Sequence, residues 1–207
     1  METVRDVGRK RFCWGWWRRL LNLSRQDSNM PRLKPRKFYA WAYGDLFTNT
    51  TRGVLAEYIV ATALGLDETK RREWDQYDLK MGDVGIEVKS AAYVQAWTQA
   101  RPSKIVFSIR RARGWDGETD TYADSPRRSA GVYVFCLLEG KVKDSIDPLD
   151  TAHWTFYVLP TSQLNRHFPT HKTIGLNRLE EIGARRCRYE ELKAATKKAA
   201  VFEREPE

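Results

Sequence analysis

Hydrophobic positions at a helical spacing mark the first folded element of the chain. Residues 50–66, TTRGVLAEYIVATALGL, are apolar on nearly every side, which predicts a buried helix of about fifteen residues. Thr50 and Thr51 are candidate N-caps, and Gly65 is expected to end the helix. Glu57 is the single charged side chain between Arg52 and Asp67. A buried carboxylate of this kind needs a partner, because an unpaired charge is costly to remove from water.

A β-hairpin is predicted directly after this helix. The runs EWDQYDLK and IEVKSAA are typical of strands, and MGDVG between them is rich in the Gly and Asp residues of tight turns. Alternate side chains of a strand point to opposite faces, so the apolar positions should meet over the core. These apolar positions are Tyr77, Leu79, Ile86 and Val88. The opposite face of the hairpin then presents Asp78, Glu87 and Lys89 together.

The rest of the chain predicts an α/β domain. Three further runs are rich in the β-branched and aromatic residues that strands favour, at residues 104–109, 131–138 and 153–160. Residues 110–130 have no periodicity and predict a long loop, while residues 188–205 predict a terminal helix with a charged outer face. We expect a mixed central sheet of about five strands flanked by helices.

Charge separates the N-terminal segment from this domain. The 207-residue chain has a formal net charge of +9, yet residues 1–37 hold eleven Lys or Arg against three acidic residues. That segment therefore carries +8, and residues 38–207, the predicted domain, are almost neutral. A basic arm with interleaved tryptophans favours nucleic acid or an anionic membrane surface as its partner, and an extension without a specific role is the alternative.

Cysteine usage and hydropathy indicate a cytoplasmic protein. Cys13, Cys136 and Cys187 are an odd number at wide spacing, which fits neither a disulfide framework nor a Cys-rich zinc site. No run approaches the ~18 consecutive apolar residues of a membrane-spanning helix, so stable membrane insertion is not expected.

The polar face of the hairpin has the groups that phosphodiester hydrolysis requires. Asp78 and Glu87 are opposed carboxylates that would repel, so a positive charge is expected between them. Lys89 supplies one, and a divalent cation held by carboxylate oxygens is the natural second. Such an ion polarises a phosphate and lowers the pKa of a bound water, and Lys89 could orient or deprotonate that water or stabilise the pentavalent state.

Asp78, followed after a short turn by Glu87-Val88-Lys89, resembles the PD-(D/E)XK nuclease superfamily. The resemblance covers roughly residues 50–110 and implies a restriction-endonuclease-like core. It also implies that Asp78 and Glu87 bind Mg²⁺ or Mn²⁺ and that Lys89 takes part in catalysis. The chain departs from the motif at Tyr77, where the superfamily often has proline.

Two more positions match the superfamily. Glu57 on the preceding helix matches the acidic residue that often completes the metal site, although a structural ion pair with an arginine is the alternative. Gln95 matches a glutamine that some branches place on the helix after the motif, which implies a catalytic role.

Basic and aromatic side chains around the third predicted strand are candidates for binding the nucleic-acid backbone and bases. A solvated loop is the alternative interpretation of the basic residues, and core packing is the alternative for tryptophans. The basic candidates are Arg101, Lys104, Arg110, Arg111 and Arg113, with Arg127 and Arg128 across the loop. The aromatic candidates are Trp97 and Trp115.

These patterns together favour a Mg²⁺-dependent deoxyribonuclease. DNA is preferred to RNA because the resembled superfamily mostly cuts DNA. Two alternatives stay open: a non-catalytic nucleic-acid-binding module on the same fold, and a peripheral membrane protein anchored by its N-terminal arm. DNA is the expected partner, and a homodimer is an open alternative for the assembly.

Overall fold

In the computed structural model, the described residues are 32–68, 70, 71, 73, 75–116 and 119–204. The chain divides into two compact units, Met1–Trp41 and Ala42–Glu207. The predicted boundary after residue 37 lies inside a helix, α1 (Pro35–Tyr43), which has no buried residue. The Trp- and Arg-rich part of the basic arm, within residues 1–31, lies outside the described residues.

The second unit alternates helices and strands. Its helices are α2 (Asn49–Leu64), α3 (Thr161–His167), α4 (Leu176–Glu181) and α5 (Tyr189–Arg204). Its strands are β1 (Leu79–Met81), β2 (Val84–Ala92), β3 (Val106–Ser108), β4 (Trp115–Asp116), β5 (Thr121–Tyr122), β6 (Val132–Leu138), β7 (Trp154–Pro160), β8 (Thr173–Gly175) and β9 (Arg185–Cys187).

A mixed five-stranded sheet organises this unit, in the order β1-β2-β6-β7-β9. Strands β2 and β6 pair in parallel, with Glu87 opposite Tyr133, and the other neighbours are antiparallel. Strand β6 is buried along its whole length, as expected for the centre of a sheet covered on both faces. The predicted α/β class with a mixed sheet of about five strands is therefore confirmed.

Two apolar clusters cover the two faces of the sheet. On one face, α2 and α5 pack against alternate residues of β2 and β6, with Ile86, Val132 and Val134 fully buried. On the other face, Phe107 and Leu164 pack against alternate residues of β6, which are Tyr133, Phe135 and Leu137. Burial of one such side chain contributes ~1.5–3 kcal/mol, so each cluster fixes its helices firmly on the sheet.

The buried helix α2 agrees with the prediction except at its start. Thr48 is the N-cap, ahead of the predicted Thr50 and Thr51, and its hydroxyl accepts a hydrogen bond from the Thr51 backbone N–H at 3.2 Å. Both predicted caps lie inside the helix, because Thr48 alone has the extended backbone of a cap. Gly65 ends the helix as expected, with φ of 74°, a left-handed conformation that glycine adopts at low cost.

Two predicted strands were wrong in extent or place. The first hairpin strand begins at Leu79 rather than near residue 73. Residues 104–109 form a strand only over Val106–Ser108, and it pairs with β8 in a separate two-stranded sheet. This strand does not pair with β2, because β1 and β6 already form the backbone hydrogen bonds on the two sides of β2. The strand that follows the hairpin in the central sheet is β6.

Candidate functional site

The β1–β2 hairpin has the register that Leu79, Ile86 and Val88 predicted, whereas Tyr77, predicted on the same face, packs with the opposite cluster. Leu79 lies opposite Ile86, and the Asp78 backbone N–H donates to the Ile86 carbonyl at 3.1 Å. Ile86 and Val88 face the helices α2 and α5. Glu87 and Lys89 consequently lie on the other face of β2, beside Tyr133 of β6.

Lys89 brings the two carboxylates of the hairpin together. Its Nζ forms an ion pair with Glu87 Oε1 and lies 4.0 Å from Asp78 Oδ2. The same Asp78 oxygen accepts a hydrogen bond of 2.7 Å from the Val88 backbone N–H. The three predicted catalytic residues therefore form one charged cluster, and the Asp78 carboxylate is fixed to the backbone of the partner strand.

Burial and mutual charge set the ionisation of this cluster. Burial raises the pKa of Glu87, and the nearby Asp78 charge raises it further, against the opposing effect of Lys89. Burial alone would lower the pKa of Lys89, but the charges of Glu87 and Asp78 outweigh it, so this pKa is raised. Lys89 is therefore a cation at neutral pH, which favours charge stabilisation over proton abstraction as its role.

Glu57 points from α2 towards the same cluster but is held by an arginine. Arg71 Nη2 donates to Glu57 Oε1 at 3.0 Å, and Arg71 Nε pairs with Oε2. Burial raises the pKa of Glu57, and Arg71 opposes this while Asp78 adds to it. The arginine partner of the alternative interpretation is thus present, and its side chain is 36% exposed.

The carboxylates at this site offer oxygen donors of the type that magnesium prefers. Among the described residues, no group of three or more His, Cys, Asp or Glu side chains is arranged to hold a metal ion. Magnesium commonly uses only one or two protein carboxylates, together with waters and substrate phosphates. Asp78 and Glu87 fit that requirement, whereas Glu57 would first have to leave Arg71.

Gln95 does not lie on a helix, so its predicted placement was wrong. It lies in the loop after β2, where the chain turns back on itself before Ser103. Its Oε1 accepts from Arg52 Nη1 at 3.2 Å, and its Nε2 donates to the Ala92 carbonyl at 2.9 Å. These bonds tie the loop to α2 and give Gln95 a structural role.

A cleft of about 660 Å³ opens beside the charged cluster. Asp78 and Glu87 form part of its floor, and basic and aromatic side chains from residues 110–133 form its walls. These wall residues are Arg110, Arg113, Arg127, Arg128, Trp115, Tyr122 and Tyr133. Arg101, Lys104 and Arg111 are exposed and do not line this cleft, so the structure brings two of the five predicted backbone-binding residues to the carboxylates.

A second cavity of about 630 Å³ lies on the other side of Asp78. Glu57, Tyr58 and Arg71 line it, together with residues of the segment between α2 and β1. Asp75 and Asp78 line both cavities. The carboxylate cluster therefore lies between two open spaces.

Three residues at this site carry little signal in the sequence. Arg71 lies among other charged residues, and nothing in that run marks it as the partner of Glu57. Tyr122 lies in the run of residues 110–130 that has no periodicity, and Tyr133 looks like any aromatic of a buried strand. Tyr133 could have been identified only from the pairing of β2 with β6, which places it opposite Glu87.

Comparison with known proteins adds no relative. No described helix combines the length and the apolar character needed to cross a membrane. No protein-family model matches the chain, and no curated protein or solved structure matches it.

Proposed function

We propose that this chain is a metal-dependent nuclease that hydrolyses DNA phosphodiester bonds on a restriction-endonuclease-like core. The observation that carries the proposal is the cluster of Asp78, Glu87 and Lys89 on the floor of a cleft with arginine walls. The ionised form of Glu87 is unfavourable where it lies, because burial and then the charge of Asp78 raise its pKa. A site that retains both carboxylates in a cleft whose lining also includes four arginines is best explained by a bound cation and an anionic substrate.

The residues of the chain have separate tasks in this proposal. Asp78 and Glu87 would hold Mg²⁺ or Mn²⁺, and the bound ion would polarise the phosphate and lower the pKa of a water. Lys89, a cation beside both carboxylates, stabilises negative charge that grows on the phosphate oxygens. Arg110, Arg113 and Arg127 hold neighbouring phosphates by charge and hydrogen bonds.

Incubation of the purified protein with plasmid and with linear DNA tests the activity directly. We expect cleavage with Mg²⁺ or Mn²⁺, none with EDTA, and none by the Asp78→Asn protein with either metal. Cleavage that survives both EDTA and Asp78→Asn would overturn the proposal. RNA of the same sequence, added in parallel, tests whether DNA is the preferred substrate.

A non-catalytic nucleic-acid-binding module is a second candidate, and one observation favours it. Lys89 and Arg71 together pair with all three carboxylates of the site, so the cluster is neutralised largely by the protein itself. A binding module needs no metal, and its affinity for DNA would be the same with Mn²⁺ and with EDTA. Binding without cleavage under every metal condition would favour this candidate over the nuclease.

A further inference from the structure

Two aromatic side chains lie next to each other on the wall of the cleft. In the hairpin formed by β4 and β5, Trp115 lies directly opposite Tyr122. Residues directly opposed in an antiparallel pair have their side chains on the same face, about 4.5–5.5 Å apart at Cβ. Both side chains line the cleft that contains Asp78 and Glu87. The hairpin therefore presents a paired aromatic surface to the carboxylate site.

In this aromatic pair Tyr122 is 65% exposed and Trp115 is half-buried, and the pair is held in place. The Trp115 indole Nε1 donates to Asp120 Oδ1 at 3.1 Å. Asp120 has a φ of 55°, a left-handed conformation that aspartate tolerates better than most residues, and its carboxylate is thereby fixed against the indole.

The base of the hairpin is anchored to the domain. Ala112 and Arg127 exchange both backbone hydrogen bonds, at 3.0 and 2.9 Å, and Arg113 Nε donates to the Ala123 carbonyl at 2.9 Å. Buried Arg128 donates to the Ile109 and Phe168 carbonyls, each at 2.8 Å. The aromatic pair is thus connected through the backbone to the core cluster that contains Phe168.

The chemistry of the cleft identifies the ligand class. Arginines on the wall suit phosphates, and a pair of aromatic rings suits the face of a nucleobase. In a duplex both faces of each internal base are covered by its neighbours, so a ring can stack only on a base that is unpaired or turned out. We propose that Trp115 and Tyr122 stack on an unpaired base, so that the substrate is single-stranded DNA or an unpaired nucleotide beside the cleaved bond. This inference rests on the proposed function.

Affinity measured without cleavage tests the inference. The probes are fluorescein-labelled oligothymidylate and a duplex of equal length, each titrated with full-length protein in EDTA. We expect wild-type protein to prefer the single strand, and Tyr122→Ala to bind it about five- to a hundredfold more weakly, the range expected when one base loses its stacking partner. Tyr122→Phe should keep wild-type affinity because it retains the ring.

A matched control removes an exposed aromatic side chain elsewhere. Phe202 of α5 is 48% exposed and does not line the cleft, so Phe202→Ala should leave the affinity unchanged. Trp115→Leu should weaken single-strand binding, and the Tyr122 variants keep the test valid if the loss of the hydrogen bond to Asp120 unfolds the hairpin.

Two results would overturn the inference. One is equal affinity for single strand and duplex in the wild type, and the other is an unchanged affinity in Tyr122→Ala. Either result, combined with metal-dependent cleavage in the plasmid assay, would leave the proposed nuclease intact. Absence of binding to every nucleic-acid probe would overturn both proposals.

Discussion

Arg71 pairs with both carboxylate oxygens of Glu57, through its Nε and, at 3.0 Å, its Nη2. In the proposed nuclease Glu57 would be a third metal ligand, so the guanidinium and a metal ion would compete for the same carboxylate. The charge of the guanidinium also lowers the pKa of Glu57, which burial raises. Arg71 thereby opposes the effect of burial, although the pKa of Glu57 stays raised.

Removal of Arg71 should increase metal affinity. We expect Arg71→Ala to bind Mn²⁺ several-fold more tightly than wild type, since Glu57 is released, and Glu57→Gln to bind it more weakly. The Arg71 side chain is partly exposed, so loss of the pair should cost about 1 kcal/mol of stability or less. Titration calorimetry with Mn²⁺ and urea unfolding measure the two effects, with Arg71→Lys as the charge-conserving control. Unchanged Mn²⁺ affinity in both variants would leave Glu57 as a purely structural partner of Arg71.

Substitutions in the hairpin cluster should abolish cleavage. Asn at position 78 retains an oxygen that can accept the Val88 N–H, so Asp78→Asn should keep the fold and lose activity. Glu87→Gln should behave similarly, whereas Lys89→Ala should also lower the melting temperature, because two carboxylates lose the cation between them. Cleavage assays together with thermal melts separate loss of chemistry from loss of fold.

The exposed Asp144 offers a control for the carboxyl substitutions. Asp144→Asn removes a negative charge from a short 3-10 turn that does not line the cleft, and it should retain wild-type activity. Wild-type cleavage rates in Asp78→Asn would place the active site elsewhere.

The raised pKa of Glu87 predicts a pH dependence of stability. The folded state holds this proton more tightly than the unfolded chain does, so stability from it is present below the unfolded pKa and is lost as pH rises through the folded pKa. Wild-type stability relative to Glu87→Gln should therefore fall from about pH 4 towards neutrality. Urea midpoints of both proteins across this range measure the difference.

Asp78→Asn refines this pH test. The Asp78 charge contributes to the raised pKa of Glu87, so its removal should move the pH-dependent fall to lower pH. Parallel stability curves for wild type and Glu87→Gln would mean that Glu87 titrates alike in the folded and unfolded states.

Gly114 should be required for the position of the aromatic hairpin. A Cβ at this residue would lie 2.8 Å from the Gln76 Cβ and 3.1 Å from the Ser129 hydroxyl oxygen, both too close. Gly114→Ala should therefore displace the strand β4 and weaken nucleic-acid binding at least several-fold, with a smaller effect on global stability. Gly53→Ala is the control, because no atom lies within 4 Å of its added Cβ. Equal affinities of the two variants would contradict a fixed hairpin.

The basic arm should contribute to DNA affinity but not to turnover. Residues 1–37 carry a net charge of +8, and none of the proposed catalytic groups lies there. Deletion of the arm should weaken binding and flatten the plot of log affinity against log salt, by ~0.9 for each phosphate that the arm neutralises. Turnover at saturating DNA should change little. A slope that stays the same would show that the arm does not bind DNA.

Local patterns predicted the hairpin and α2 because the apolar positions of each element repeat within a few residues of sequence. Alternation between Ile86 and Val88, with Leu79 opposite Ile86, sufficed to place Asp78 and Glu87 on one side. Tyr77 was predicted on the face of Leu79 but packs with the opposite cluster. The parallel pairing of β2 with β6 joins residues more than forty positions apart, so no local pattern in the sequence indicates it. Strands of two or three residues, such as β4 and β5, are too short to show alternation.

The same limit applies to the side chains of the site. The environment of Glu57 indicated a buried acid that needs a partner, but the identity of Arg71 depends on where the segment after α2 returns. Gln95 matched a motif position, yet its surroundings in the loop after β2 are those of a structural amide. Residue type and spacing therefore identified the charged cluster, and the three-dimensional arrangement was needed to show which charged groups pair with one another.

Asp75 and Asp78 each line both cavities. In the proposed nuclease, a polymer bound across these residues would have open space on either side, and neither of its termini would have to enter a closed end. Such a site can act in the interior of a long chain as readily as near a terminus. Joining the ends of a strand should therefore not protect it from this protein.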